Sequence, residues 1–201
     1  MTKFPHKIYC DMDGVLCDFE KAAVEAINKQ LASPKPKFPK LATQVIETLG
    51  RNYVEINDIK KYDPSKVDVA AKYMYRLLED DENWWATLPW QPGGKRLWAY
   101  IKNFSPDILT SPMDKGGKTG SMSGKHIWVK NNLRIDPEKV HFEHDKWKKA
   151  VSQDGKRNIL IDDFASKIDP WDNAGGIGIL HVNAGNTIKI LKLLQDLNEV
   201  P

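Results

Sequence analysis

Cysteine is scarce in this 201-residue chain, which has two, Cys10 and Cys17. Neither their number nor their spacing supports a disulfide framework or a zinc site, so both are read as small buried hydrophobes in a reducing compartment. Long apolar runs are missing too. No stretch of about 18 apolar residues occurs, which excludes a helical membrane span, and the N-terminus reaches its first strand without the apolar core of an export signal. A cytoplasmic protein with no membrane partner is expected. Charge of one sign is also lacking: 30 Lys and Arg against 27 Asp and Glu leave a formal net charge of +3. That excess is too small and too dispersed for duplex nucleic acid, and leaves a small polyanion open as a partner. There is no internal repeat.

What the chain does have is an apolar share of 41%, enough for one core with a small inserted subdomain. An apolar run at 6–10 predicts a first strand, and Phe19, Ala22, Ala23, Ala26, Ile27 and Leu31 share one face of a helix over 18–32. Pro34, Pro36 and Pro39 then stop that helix. Short helical pieces follow from about 40 to 90. Val67, Ala70, Ala71, Met74, Leu77 and Leu78 stripe one of them over 66–79, and Trp84, Trp85 and Trp90 close the segment. Further strands are expected at 107–109, 140–142, 158–161 and 177–182. Further helices are expected at 95–104, 125–133 and 187–198, with a loop rich in Gly, Lys and Ser at 114–124. Strands alternating with helices imply an α/β fold, a three-layer Rossmann-like parallel sheet with helices on both faces. Its core would take in 1–32 and 91–201, with 33–90 as a small, mainly helical insertion after the first strand-helix unit.

Three of the expected strands end in polar groups: Asp11 and Asp13, then Thr110 and Ser111, then Asp162 and Asp163. Parallel strands in one sheet bring their carboxyl ends to one edge, where ligands bind in open α/β sheets. Gathered there, the carboxylates would repel one another by roughly 4 kcal/mol per pair at about 4 Å and an effective dielectric near 20. A divalent cation relieves this. Mg²⁺ suits such a site, since it takes oxygen ligands from one or two carboxylates, waters and a substrate phosphate.

In order along the chain, Asp11-Met12-Asp13-Gly14, Thr110 with Ser111, Lys125, and Asp162-Asp163 resemble the four motifs of the haloacid dehalogenase-like phosphohydrolases. More narrowly, 11–20, 110–112, 125–129 and 160–163 look like the 5'(3')-deoxyribonucleotidase branch. The resemblance implies Asp11 as nucleophile, Asp13 as acid and base, Thr110 and Ser111 as hydrogen-bond donors to phosphate, and Lys125 as the cation that neutralises charge. It also implies Mg²⁺ held by Asp11, the backbone carbonyl of Asp13, and Asp162, with Asp163 as a second candidate. An acid two residues after the nucleophile favours phosphate ester hydrolysis over the family's other reactions. The implied substrate is a small phosphate monoester, a nucleotide first and a sugar phosphate as the alternative. A non-catalytic binding module is a third reading, and a homodimer is left open.

In this family the insertion is a cap that selects the substrate. Phe19, Trp84 and Trp85 are candidates to stack on a base, and their plain reading is cap core. Lys125 could equally be a solvated first-turn lysine, with Lys115 and Lys118 as alternative phosphate contacts. Gly117-Lys118-Thr119 and Gly124-Lys125-His126 lack the spacing of a phosphate loop. His141 and His144, with no third soft ligand nearby, make a poor metal site. His144-Asp145-Lys146 stands where related nucleotidases are expected to carry Arg-Asp-Lys. Lys146 is therefore a candidate substrate contact, and His144 is a departure from the pattern.

Overall fold

The computed structural model describes residues 6–60, 68–114, 117 and 119–198. Its strands are β1 (Ile8–Cys10), β2 (Asp107–Thr110), β3 (Val140–Phe142), β4 (Ile159–Asp162) and β5 (Ile177–Leu180). All pair in parallel, in the order β3-β2-β1-β4-β5. Because side chains alternate across a strand, Tyr9, Leu109 and Leu160 share one face, and Ile8, Cys10, Ile108, Ile159 and Ile161 share the other. The second set is fully buried, as are Leu109 and Leu160, so both faces are covered. Such two-sided burial is why these strands read as continuous apolar runs.

Contacts group the chain into two compact units. The first comprises Met1–Asp18, Trp90–Pro112 and Val129–Pro201; the second comprises Phe19–Pro89 and Met113–Trp128. The 33–90 insertion expected from sequence thus covers part of the second unit, to which the helix over 19–31 and the segment 113–128 also belong.

In the first unit the sheet carries α8 (Ala165–Asn173) and α9 (Ala184–Asn198), and α6 (Gly94–Ile101) packs on α9. The helix α8 lies on β4 and β5, packing Ile168 and Trp171 against Leu109, Leu160 and Ala150. It was not expected from sequence, because Pro170 inside it breaks the helical reading. Close approach is achieved through Gly176 and Gly178, where an added Cβ would run into Trp171 and into Ile168 with Asp172. At the start of β2, buried Asp107 is answered by Lys7 Nζ at 2.6 Å and His141 Nε2 at 2.8 Å. That pairing uses His141 and accounts for an acid at the sheet's other end.

The second unit is helical: α1 (Phe19–Leu31), α2 (Pro39–Leu49), α3 (Ile56–Lys60), α4 (Val69–Leu78) and α5 (Glu82–Ala86). The expected helix over 66–79 is α4; positions 66 and 67, Val67 of the stripe among them, lie outside the described residues. Asp68 caps α4 through Ala70 N and Ala71 N, and Asp81 caps α5 through Trp84 N. The helix expected from Lys125 begins earlier, as α7 (Gly120–Asn132). Its first turns are glycine-bearing for a packing reason: a Cβ at Gly120 would strike the backbone of Asp80, and one at Gly124 would strike Glu82 and Trp85. Lys115 and Lys118 lie outside the described residues.

Candidate active site

The site is built where β1 and β4 end side by side. Cys10 pairs with Ile161, and Asp11 N donates to Ile161 O at 2.9 Å, which sets Asp11 beside Asp162. The chain then turns at once: Leu16 N and Cys17 N both donate to Met12 O at 2.8 Å, and Gly14 N donates to Cys17 O at 2.9 Å. This tight loop needs Gly14 for two reasons. Its φ is 71°, a left-handed value that costs a side chain, and a Cβ there would collide with the Asp163 carboxylate.

Asp11 and Asp162 are buried, and one ligand oxygen from each of Asp11, Asp162 and Asp163 lies within 4.8 Å of the others. The Asp13 carboxylate is not part of this group. A buried cation lies against the group. Lys146, buried to 2% exposure, places Nζ 2.9 Å from Asp11 Oδ1 and 2.7 Å from Asp162 Oδ2. Both Asp162 oxygens thereby have a partner, since its Oδ1 accepts from Phe164 N at 2.9 Å. Asp163 is not: its buried Oδ1 has no hydrogen-bond partner among the described residues.

The electrostatics follow. Burial, with Asp11 next in effect, pushes the Asp162 carboxyl up to about 6, although Lys146 pulls it down. Burial, with Asp11 and Asp162 added, pushes Asp163 up to about 8. Lys146 rises above the usual lysine range, because Asp11 and Asp162 together outweigh the desolvation that works against its charge. Lys146 pairs with two of the three clustered carboxylates, and the third keeps a buried oxygen without a hydrogen-bond partner among the described residues. An all-oxygen donor set with excess negative charge fits a hard divalent cation such as Mg²⁺.

Neither a scan against protein-family models nor a search of curated proteins gives a match. Solved structures do. A HAD-superfamily hydrolase of subfamily IA from Geobacter sulfurreducens superposes with a TM-score of 0.52 at 12% identity, over 92% of this chain and 96% of that one. A haloacid dehalogenase-like hydrolase from Burkholderia xenovorans gives a TM-score of 0.51 at 12% identity, over 94% of this chain and 99% of that one. The chain has the haloacid dehalogenase-like hydrolase fold.

Within this haloacid dehalogenase-like fold, Thr110 ends β2, fully buried, and its carbonyl accepts from Glu143 N at 3.0 Å. Ser111 Oγ donates to Glu143 O at 3.2 Å. Both belong to the first unit with the acids. The other sequence candidates group in the second. Phe19 stacks on Trp85 with ring centroids 5.4 Å apart, Trp84 meets Trp85 edge-on at 5.0 Å, and Lys125 Nζ lies 4.8 Å from the Trp85 ring centroid. Trp85 is 1% exposed and its indole N–H donates to Leu78 O at 2.8 Å, which makes it core of that unit and leaves no ring surface for a base. Phe19 and Trp84 are only partly buried.

Lys146, which the sequence reading gave to substrate contact, thus pairs with the acids, while Lys125, to which it gave charge neutralisation, is fully buried in the second unit. Composition hides Lys146, because it opens the run Lys146-Trp147-Lys148-Lys149, which reads as solvated surface. The one available signal was its place in His144-Asp145-Lys146. His144 contributes a backbone carbonyl that accepts from Lys167 Nζ at 2.9 Å.

Proposed function

We propose that this chain is an Mg²⁺-dependent phosphomonoesterase acting on nucleoside or deoxynucleoside monophosphates. One observation carries the reading: a buried carboxylate, Asp11, at a strand end, ion-paired to the buried ammonium of Lys146 beside two further carboxylates. Asp11 attacks phosphorus, forming an aspartyl-phosphate as the bond to the sugar oxygen breaks. Asp13 gives that oxygen its proton, then takes one from the water that attacks the aspartyl-phosphate and releases inorganic phosphate. Lys146 holds Asp11 in place and offsets negative charge as the phosphoryl group arrives, while Thr110, and Ser111 once its hydroxyl turns from Glu143 O, offer hydroxyl donors to its oxygens. Bound Mg²⁺, for which Asp11, Asp162 and Asp163 supply the carboxylates, would neutralise phosphoryl charge.

The choice of nucleotide rests on the resemblance of the four motifs and on partly buried Phe19 and Trp84 as stacking surfaces. A panel of ribo- and deoxyribonucleoside monophosphates and sugar phosphates with Mg²⁺, blanked by Asp11→Asn, tests it. Nucleotides should be turned over well above sugar phosphates. Equal turnover of the two classes removes the nucleotide assignment, and no turnover of any ester above the blank removes the enzyme.

A further inference from the structure

We propose that a cleft in the first unit, between α6 and the end of α7, is a binding site for a nucleoside di- or triphosphate. The cleft measures about 360 Å³ and is lined by Trp90, Lys95, Trp98, Lys102, Asn132 and Arg134, with no carboxylate in its wall. That volume lies at the small end of ligand pockets, on the scale of one nucleotide.

Charge gives the first line of evidence. Some exposed cations elsewhere meet acids, Lys60 with Glu20 at 2.8 Å, Lys148 with Asp145 at 3.0 Å and Lys156 with Asp154 at 2.6 Å, and others, such as Lys40 and Lys130, form no ion pair among the described residues. Among the described residues, Lys95, Lys102 and Arg134 form no ion pair, yet the same cleft gathers all three. A single phosphate, with about two negative charges, needs fewer cations than this. A phosphate chain matches them.

Backbone strain gives the second. Arg134 follows α7 with φ 56°, the left-handed conformation in which a helix usually ends on glycine. Its N–H and that of Leu133 both donate to Val129 O, at 3.1 and 2.8 Å. Any side chain there costs roughly 1 to 2 kcal/mol over glycine, and this one brings a guanidinium to the cleft. Strain retained at a ligand-sized cavity points to function.

The ring supplies the third. Trp90 is partly exposed, its indole N–H is tied to Asn132 Oδ1 at 3.1 Å, and Lys95 Nζ stands 5.9 Å from its centroid. A fixed aromatic face beside cations suits a base stacked next to its own phosphates.

None of these residues belongs to the acid cluster, so the inference does not rest on the activity proposed above, and its test reads binding alone. The Asp11→Asn protein in EDTA is titrated calorimetrically with ATP and with inorganic triphosphate. ATP should bind at one site per chain, and inorganic triphosphate at least tenfold more weakly. Arg134→Gly, which relieves the strain, should keep or raise the melting temperature while weakening ATP at least tenfold, and Lys102→Ala should weaken it in the same direction. No ATP binding, ATP binding unchanged in both variants, or triphosphate binding as tightly as ATP overturns the proposal.

Discussion

Lys146 Nζ sits 2.9 Å from Asp11 Oδ1 in a site where both side chains are shielded from water. One ammonium so placed orients the proposed nucleophile and lowers the repulsion among three carboxylates. Lys146→Met should therefore lose stability, since breaking a buried pair from one side costs about 3 to 5 kcal/mol. It should also lower kcat by about 10² to 10³, the usual loss when one positioned charge is removed. Lys125→Met serves as the comparison. If Lys125→Met loses more of kcat than Lys146→Met does, charge neutralisation belongs to Lys125.

A side chain at Gly14 would be strained and would displace Asp163. Alanine there would meet both the left-handed φ of 71° and the Asp163 carboxylate. Gly14→Ala should lower the urea midpoint by the equivalent of about 1 to 3 kcal/mol, and should weaken Mg²⁺ binding because Asp163 has to move. Unchanged Mg²⁺ affinity, measured by calorimetry, would separate Asp163 from the cation.

Much of this site is written locally. A buried strand that stops on an acid is visible in any sequence, and the parallel register needs only alternation of strands and helices to bring Asp11, Thr110 and Asp162 to one edge. Lys146 is different. It is buried by its placement on a short turn beside β4, and nothing in its own neighbourhood distinguishes it from exposed Lys148. The start of α7 was hidden for a related reason. Gly120 and Gly124 weaken a helix by propensity but are required where it packs on residues 80–86, so tertiary contact overrode the local signal.

The raised carboxyls make stability depend on pH in a defined direction. Asp163 at about 8 and Asp162 at about 6 both lie above the unfolded carboxylate value near 4, so the fold favours their protonated forms. Their contribution is full below about pH 4 and is lost as pH rises through the folded values. In EDTA the melting temperature should fall between pH 6 and pH 8.5. Mg²⁺ favours the ionised carboxylates and has fewer protons to displace at the higher pH, so its stabilisation should grow with pH. Asp163→Asn should flatten both trends. A shift with Mg²⁺ of equal size at pH 6 and pH 8.5 would count against the carboxylate cluster as the binding site.

Trp84 and Trp85 are neighbours in sequence with different expected roles. Trp85 is 1% exposed, sits under Phe19 and donates to Leu78 O, so Trp85→Ala should cost about 3 to 5 kcal/mol of stability, as loss of a buried large ring does. Trp84 is partly exposed and meets Phe19 edge-on at 5.7 Å. Trp84→Ala should cost less stability and should raise KM for nucleoside monophosphates about tenfold, the equivalent of about 1.4 kcal/mol of lost stacking, while leaving KM for a sugar phosphate unchanged. A KM that rises equally for both substrates would mean that Trp84 shapes the second unit without reading a base, and the nucleotide assignment would then have to stand on the four motifs and Phe19.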